Sequence, residues 1–175
     1  MEKISSFLFS NTKLSWLWFF VRIYVGWTWL TAGWDKVISP VWAGDKAGVA
    51  VSGFLTKSLT KTTGAHPDVQ GWYAYFIETI ALPNSEIFSY VVSFGEFFVG
   101  IALILGAVTG IAAFFGAFMN INYLFAGTVS TNPELLLLEI FIMLAWKTAG
   151  WYGLDRFILP QITACKSGKA SKKRN

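Results

Sequence analysis

Arg22, Glu96, Asn120, Asn122, Glu139 and Lys147 each stand inside a run of apolar residues. An ionisable group in such surroundings faces inward and finds a partner, because leaving it bare in an apolar medium is expensive. Counted at about 1.5 Å of helix rise per residue from the run ends that share a side, Arg22 lies about 12 Å deep, Glu96 about 15 Å and Asn120 about 16 Å. Asn122 and Glu139 fall at about 20 Å, and Lys147 at about 8 Å, within snorkelling reach of an interface. The counting predicts a buried Arg22–Glu96 ion pair with Asn120 completing its hydrogen bonds. It predicts a second polar layer of Glu139 with Asn122. Two chemistries suit the first layer. It either holds helices in register, helped by the small residues Gly95, Gly100, Ala113, Gly116 and Ala117, or makes Glu96 a proton-handling carboxylate beside Arg22. Arg22, Glu96 and Asn120 are therefore the candidate catalytic residues. Arg22, Glu96, Asn122, Glu139 and Trp72 are the candidate cofactor-binding residues.

Other chemistries find no residues to carry them. The chain has one cysteine, Cys165, and one histidine, His66, which precedes Pro67 in a polar stretch. A two-cysteine redox motif and an internal disulfide are thereby excluded, and neither a metal site nor haem ligation is expected. No phosphate-binding glycine loop, dinucleotide fingerprint or Ser-His-Asp set is present. Any redox activity needs an external cofactor, either a membrane quinone or a group on a partner subunit.

The elements that must position the polar residues follow from composition. The chain has 175 residues, 54% hydrophobic, 18% aromatic and 14% charged. Soluble domains carry about 25% charged residues, so a disordered chain is excluded and an ordinary water-soluble enzyme is not expected. Four apolar runs approach the length of about 20 residues that a bilayer requires: 14–34, 86–106, 109–127 and 134–152. The fold class predicted is all-α, a polytopic membrane four-helix bundle in one domain over 1–156, followed by a basic tail over 157–175. The first run is longer than a signal-peptide core and is rich in tryptophan, so it reads as a retained helix. Thr131-Asn132-Pro133-Glu134 and Pro83-Asn84-Ser85-Glu86 read as helix starts with a capping side chain and an early acid. Residues 106–110 are a tight connection that makes the second and third helices antiparallel neighbours.

Between the first two runs, 35–85 forms an outer segment. Val69, Trp72, Tyr73, Phe76, Ile77 and Ile80 recur at helical spacing, and Ala47, Val51, Phe54, Leu55 and Leu59 make a weaker stripe. These short helices are expected to lie in the outer interface or to cover the mouth of the bundle. Lysines and arginines concentrate in the two tails, which places both termini in the cytoplasm. The basic stretch from Lys166 to Arg174 reads as a topology and anionic-lipid anchor rather than a nucleic-acid site.

Five stretches carry a resemblance: RIYVGWTWLTAGWDK from Arg22 to Lys36, LPNSEIF, FGEFFVGIALILG, NINYLFAGTVSTNP and AGWYGLDR. In this order and spacing, covering nearly all of 20–156, the chain resembles the DoxX family of small four-helix membrane proteins. That family includes the DoxD-type small subunit of thiosulfate:quinone oxidoreductase. The resemblance implies a membrane-embedded oxidoreductase component, in a system where electrons pass from a sulfur compound to a membrane quinone and a second small subunit takes part. It implies a bacterial or archaeal cell membrane as the home of the chain. The family's motif arginine and glutamate fall on Arg22 and Glu96, and its asparagine-containing third helix on Asn120 and Asn122. The aromatic outer segment, Trp72 included, is where a quinone would find a flat apolar slot.

Three functions remain open on this reading. The first is a subunit of a quinone-linked oxidoreductase acting on sulfur compounds or in redox homeostasis. The second is a non-catalytic membrane scaffold for a soluble redox enzyme. The third is a small-solute carrier, which ranks last because neither inverted repeats nor proline-broken runs are evident. The partners expected are the lipid bilayer, a second redox subunit or soluble redox enzyme, and a further copy of the chain.

Overall fold

The computed structural model describes residues 2–161, with side chains from residue 5 onward. Cys165 and the lysines and arginine from Lys166 to Arg174 lie outside the described residues. Every regular element among the described residues is helical. Helix α1 covers Glu2–Ser10, and a short 3-10 turn leads into α2, Ser15–Val37. The outer segment holds α3 (Pro40–Ala43), α4 (Val49–Leu59) and α5 (Gly71–Phe76), the last continuing through a π-turn at Ile77–Ala81. Then follow α6 (Ser85–Leu105), α7 (Thr109–Phe125), α8 (Asn132–Leu144) and α9 (Trp146–Ala149), with a helical stretch at 155–161. Helix α2 packs mainly on α6, α7 mainly on α8, and the two pairs join through α6–α7 and α2–α8. By length and composition, Ser85–Leu105 is the one helix among the described residues that meets the requirement for crossing a membrane.

Small residues determine how closely and at what offset α2 and α6 meet. A Cβ at Gly33 would run into the backbone of Phe97, and one at Gly100 into the backbone of Leu30. The helices therefore touch backbone to backbone, the arrangement small residues permit in apolar surroundings. Gly106 ends α6 with φ 63°, and the Ala107 N–H bonds the Ala102 carbonyl at 2.9 Å, closing the last turn. Val108 follows with φ 46°, a left-handed backbone that a β-branched residue rarely adopts. Asp155 holds this corner, accepting the Val108 N–H at 2.6 Å and the Thr109 N–H at 2.8 Å where α7 begins. A carboxylate suits the positive end of a helix.

Two local expectations are corrected. The fourth apolar run is not one helix: α8 stops at Leu144, Ala145 turns with ψ 17°, and α9 restarts at Trp146. At this bend the Thr148 hydroxyl bonds the Phe9 carbonyl at 3.0 Å, so the interruption serves the docking of α1. The helix starts lie where expected, at Asn132 and Ser85, but the capping bonds are absent. The Asn84 and Asn132 amides instead donate backward, to the Ile80 and Thr128 carbonyls at 2.8 and 2.9 Å.

The outer segment folds onto α6 and the end of α7. Val51, Leu55, Val69, Tyr73, Ile77, Ala81 and Ala126 form its own buried cluster, distinct from the core around Trp18, Val25, Trp29, Leu103 and Ile142. Lys61 fastens it by donating to the Gly127 carbonyl beyond the end of α7.

Candidate functional site

One face of α2 carries Arg22, Trp29 and Lys36, seven residues apart, and each donor serves a different level of the bundle. Arg22 is fully buried and donates to the carbonyls of Leu103, of Ile104 at 2.9 Å and of Tyr152 at 3.1 Å. The first two carbonyls belong to the last turn of α6, where the Leu103 oxygen also accepts the Gly106 N–H at 3.2 Å. Arg22 therefore caps a helix and ties it to the chain beyond α9.

At the middle level, Glu139 of α8 accepts from Trp29 Nε1 at 2.5 Å and from Asn120 Nδ2 at 2.7 Å. Glu139 and Asn120 are both fully buried. Gly116, one turn before Asn120 on α7, makes room: a Cβ there would run into the Glu139 carboxylate and crowd the Trp29 indole nitrogen.

At the outer level, Lys36 Nζ meets Glu96 Oε2 at 2.5 Å, and the Tyr123 hydroxyl donates to Glu96 Oε1. The Lys36 ammonium also lies 5.2 Å from the centre of the Trp42 ring. The Lys36 side chain keeps 19% of its surface exposed while that of Glu96 keeps 2%, so the pair leads from the interior towards the outside.

The expected Arg22–Glu96 pair therefore does not form. Depths of about 12 Å for Arg22 and about 15 Å for Glu96 make one layer only if α2 and α6 end flush. Helix α2 begins at Ser15, about 10 Å of rise before Arg22, whereas α6 ends at Leu105, level with the guanidinium. The Gly33–Phe97 contact then brings Lys36, not Arg22, to Glu96. The second expected layer is also rearranged. Glu139 takes Asn120, and Asn122 accepts the Tyr73 hydroxyl at its carbonyl and its side-chain oxygen, at 3.0 and 3.1 Å.

Above the outer level lies a cavity of about 190 Å³, walled by Trp42, Phe54, Tyr73, Phe88, Met119, Asn122 and Tyr123 among others. Its polar groups are the two tyrosines and Asn122. Phe54 lies edge-on to the Tyr123 ring at 6.1 Å. Burial pushes the Tyr73 phenol up to about 12, so it stays a neutral hydrogen-bond donor at physiological pH. Trp72 does not line the cavity; it is 60% exposed and packs edge-on behind Tyr73 and against Phe125. Of the sequence-predicted residues, the structure places Asn122 in the cavity wall, Glu96 behind the Tyr123 hydroxyl and Asn120 against Glu139, and leaves Arg22 at the opposite end of α2.

Sequence reading missed Lys36, Tyr123, Tyr73 and Trp29. A signal for Lys36 existed: extending the Arg22–Trp29 face by seven residues lands on it, although a charge so close to a run end reads as part of the loop. Tyr123 shares the face of Asn120, three residues on. No curated protein and no solved structure matches the chain. A family model does, that of DoxX, over residues 17–128, and the chain belongs to the DoxX family.

Proposed function

We propose that this DoxX protein is the membrane subunit of a quinone-linked oxidoreductase, with the ring of the quinone in the cavity between the outer segment and α6–α7. In this reading α2, α6, α7 and the α8–α9 unit cross the bilayer with both termini in the cytoplasm, and the outer segment covers the far side. The observation that carries the proposal is the aromatic cavity whose polar wall, Tyr123, is hydrogen-bonded to the Lys36-paired Glu96. A cavity of about 150 Å³ lined by apolar side chains accepts benzene, so the 190 Å³ found here suits a single ring.

Quinone reduction consumes protons as well as electrons. At each protonation the Tyr123 hydroxyl turns its proton from Glu96 to the ring. The Lys36 ammonium passes a proton through the Glu96 carboxylate to the tyrosyl oxygen, and Lys36 is recharged from the outside. The electrons come from a partner redox subunit acting on a sulfur compound. Mass spectrometry of the protein gently purified from its native membrane tests the reading. The natural chain should retain a quinone, and both Tyr123→Phe and Glu96→Gln should lose most of it. A stoichiometric protein partner with no quinone in the natural chain would sink the proposal in favour of a scaffold.

A further inference from the structure

Of the three buried carboxylates among the described residues, Asp155 accepts the Val108 and Thr109 N–H groups at the start of α7, while Glu96 and Glu139 are held in opposite ways. Glu96 has a cation at 2.5 Å and a hydroxyl donor. Glu139 has two neutral donors, Trp29 Nε1 and Asn120 Nδ2, and no ion pair among the described residues. The charged and titratable groups on the neighbouring helices are committed elsewhere. On α2, Arg22 is spent on backbone carbonyls and Lys36 on Glu96. On α7, Tyr123 is bonded to Glu96. On α8 itself, Glu134 is exposed and accepts from Tyr24 at 3.0 Å, and on α9 Lys147 is exposed beside the Trp146 ring.

A second observation concerns Asn120. Its side-chain oxygen is buried and has no hydrogen-bond donor, although the nitrogen of the same amide is bonded to Glu139 at 2.7 Å. A buried acceptor left without a donor is destabilising, and so is a buried charge without a counter-ion. One proton removes both faults. A neutral Glu139 has an O–H to give, and the Asn120 oxygen sits on the planar group that already faces it. A small reorientation closes an acid–amide ring, leaving the Trp29 bond in place on the other lone pair.

We infer that Glu139 is a proton-binding site in the centre of the bundle, holding its proton in the resting protein and sharing it with the Asn120 amide. The ligand is the proton itself. Gly116 shapes the site by leaving space for the carboxyl against the Trp29 indole. The site is separate from Glu96 and does not rest on the quinone reading.

Infrared spectroscopy of the full chain in lipid vesicles at neutral pH, with isotope-labelled glutamate side chains, tests the inference. Protonated acids absorb apart from carboxylates, and the natural chain should show one label-sensitive acid band. Glu139→Gln should lose that band completely, and Asn120→Leu should shift it to higher frequency with its area kept. No acid band in the natural chain overturns the inference whether or not a variant folds. A band that survives Glu139→Gln, or that Asn120→Leu leaves unmoved, overturns it as well.

Discussion

An ammonium and a carboxylate withdrawn from water stabilise each other only while both are present. Lys36 and Glu96 meet that condition, with one of the pair almost wholly buried. Replacing Lys36 by Met strands the carboxylate, and removing one partner of a buried pair costs about 3–5 kcal/mol. We expect Lys36→Met to lower unfolding stability in detergent by that order, and Lys36→Met with Glu96→Gln to recover most of it. A double variant as unstable as Lys36→Met alone would refute the pairing. Arg22 gives the contrasting outcome. Because it serves carbonyls at the other end of α2, its substitution and that of Glu96 should add to within about 0.5 kcal/mol in a double-mutant cycle. The polar residues stood out in the sequence because each interrupts an apolar run. Their partners did not, since a side chain such as Lys36 reaches several ångströms along its helix and can serve a neighbour from beyond the run it borders.

Helix α2 is the element on which the levels are strung, and its contact with α6 sets their heights. That contact depends on Gly33 and Gly100, where each backbone lies against the other helix. Gly33→Leu forces a side chain into the Phe97 backbone, and overpacking of this kind costs about 1–3 kcal/mol, occasionally more. The variant should melt lower and should also weaken Lys36–Glu96, since the two helices must shift to admit the side chain. Gly53 on α4 is the control. Nothing stands within 4 Å of a Cβ there, so Gly53→Ala should be neutral or gain up to about 1 kcal/mol from helix propensity. Equal losses from both substitutions would argue against the close contact. Existence and extent of α2, α6 and α7 were evident from apolar runs and turn residues. The break after α8 was not, because it answers to the docking of α1 against Thr148, a contact between residues far apart in the chain.

The whole molecule places its polar groups asymmetrically, with Arg22 at the end of the bundle near α1 and α9, and the cavity at the end covered by α3, α4 and α5. If both termini are cytoplasmic, the covered end faces outward, and exposed His66 in the outer segment reports on it. With Cys165 replaced by Ser, His66→Cys should react with a membrane-impermeant thiol reagent in intact cells. Labelling that appears only after the membrane is opened would reverse the proposed orientation. The sequence alone determined that the chain is helical, that its long apolar runs carry a few buried polar groups, and that it resembles the DoxX family. These properties follow from local composition, from periodicity and from motifs in a fixed order. Only the tertiary structure decided which polar groups meet. The offset between antiparallel helices is set by where glycine lets backbones touch, and run lengths carry no record of it. The cavity was beyond sequence reading for a related reason, since its walls come from α3, α4, α5, α6 and α7, and the space between them exists only once all five have packed.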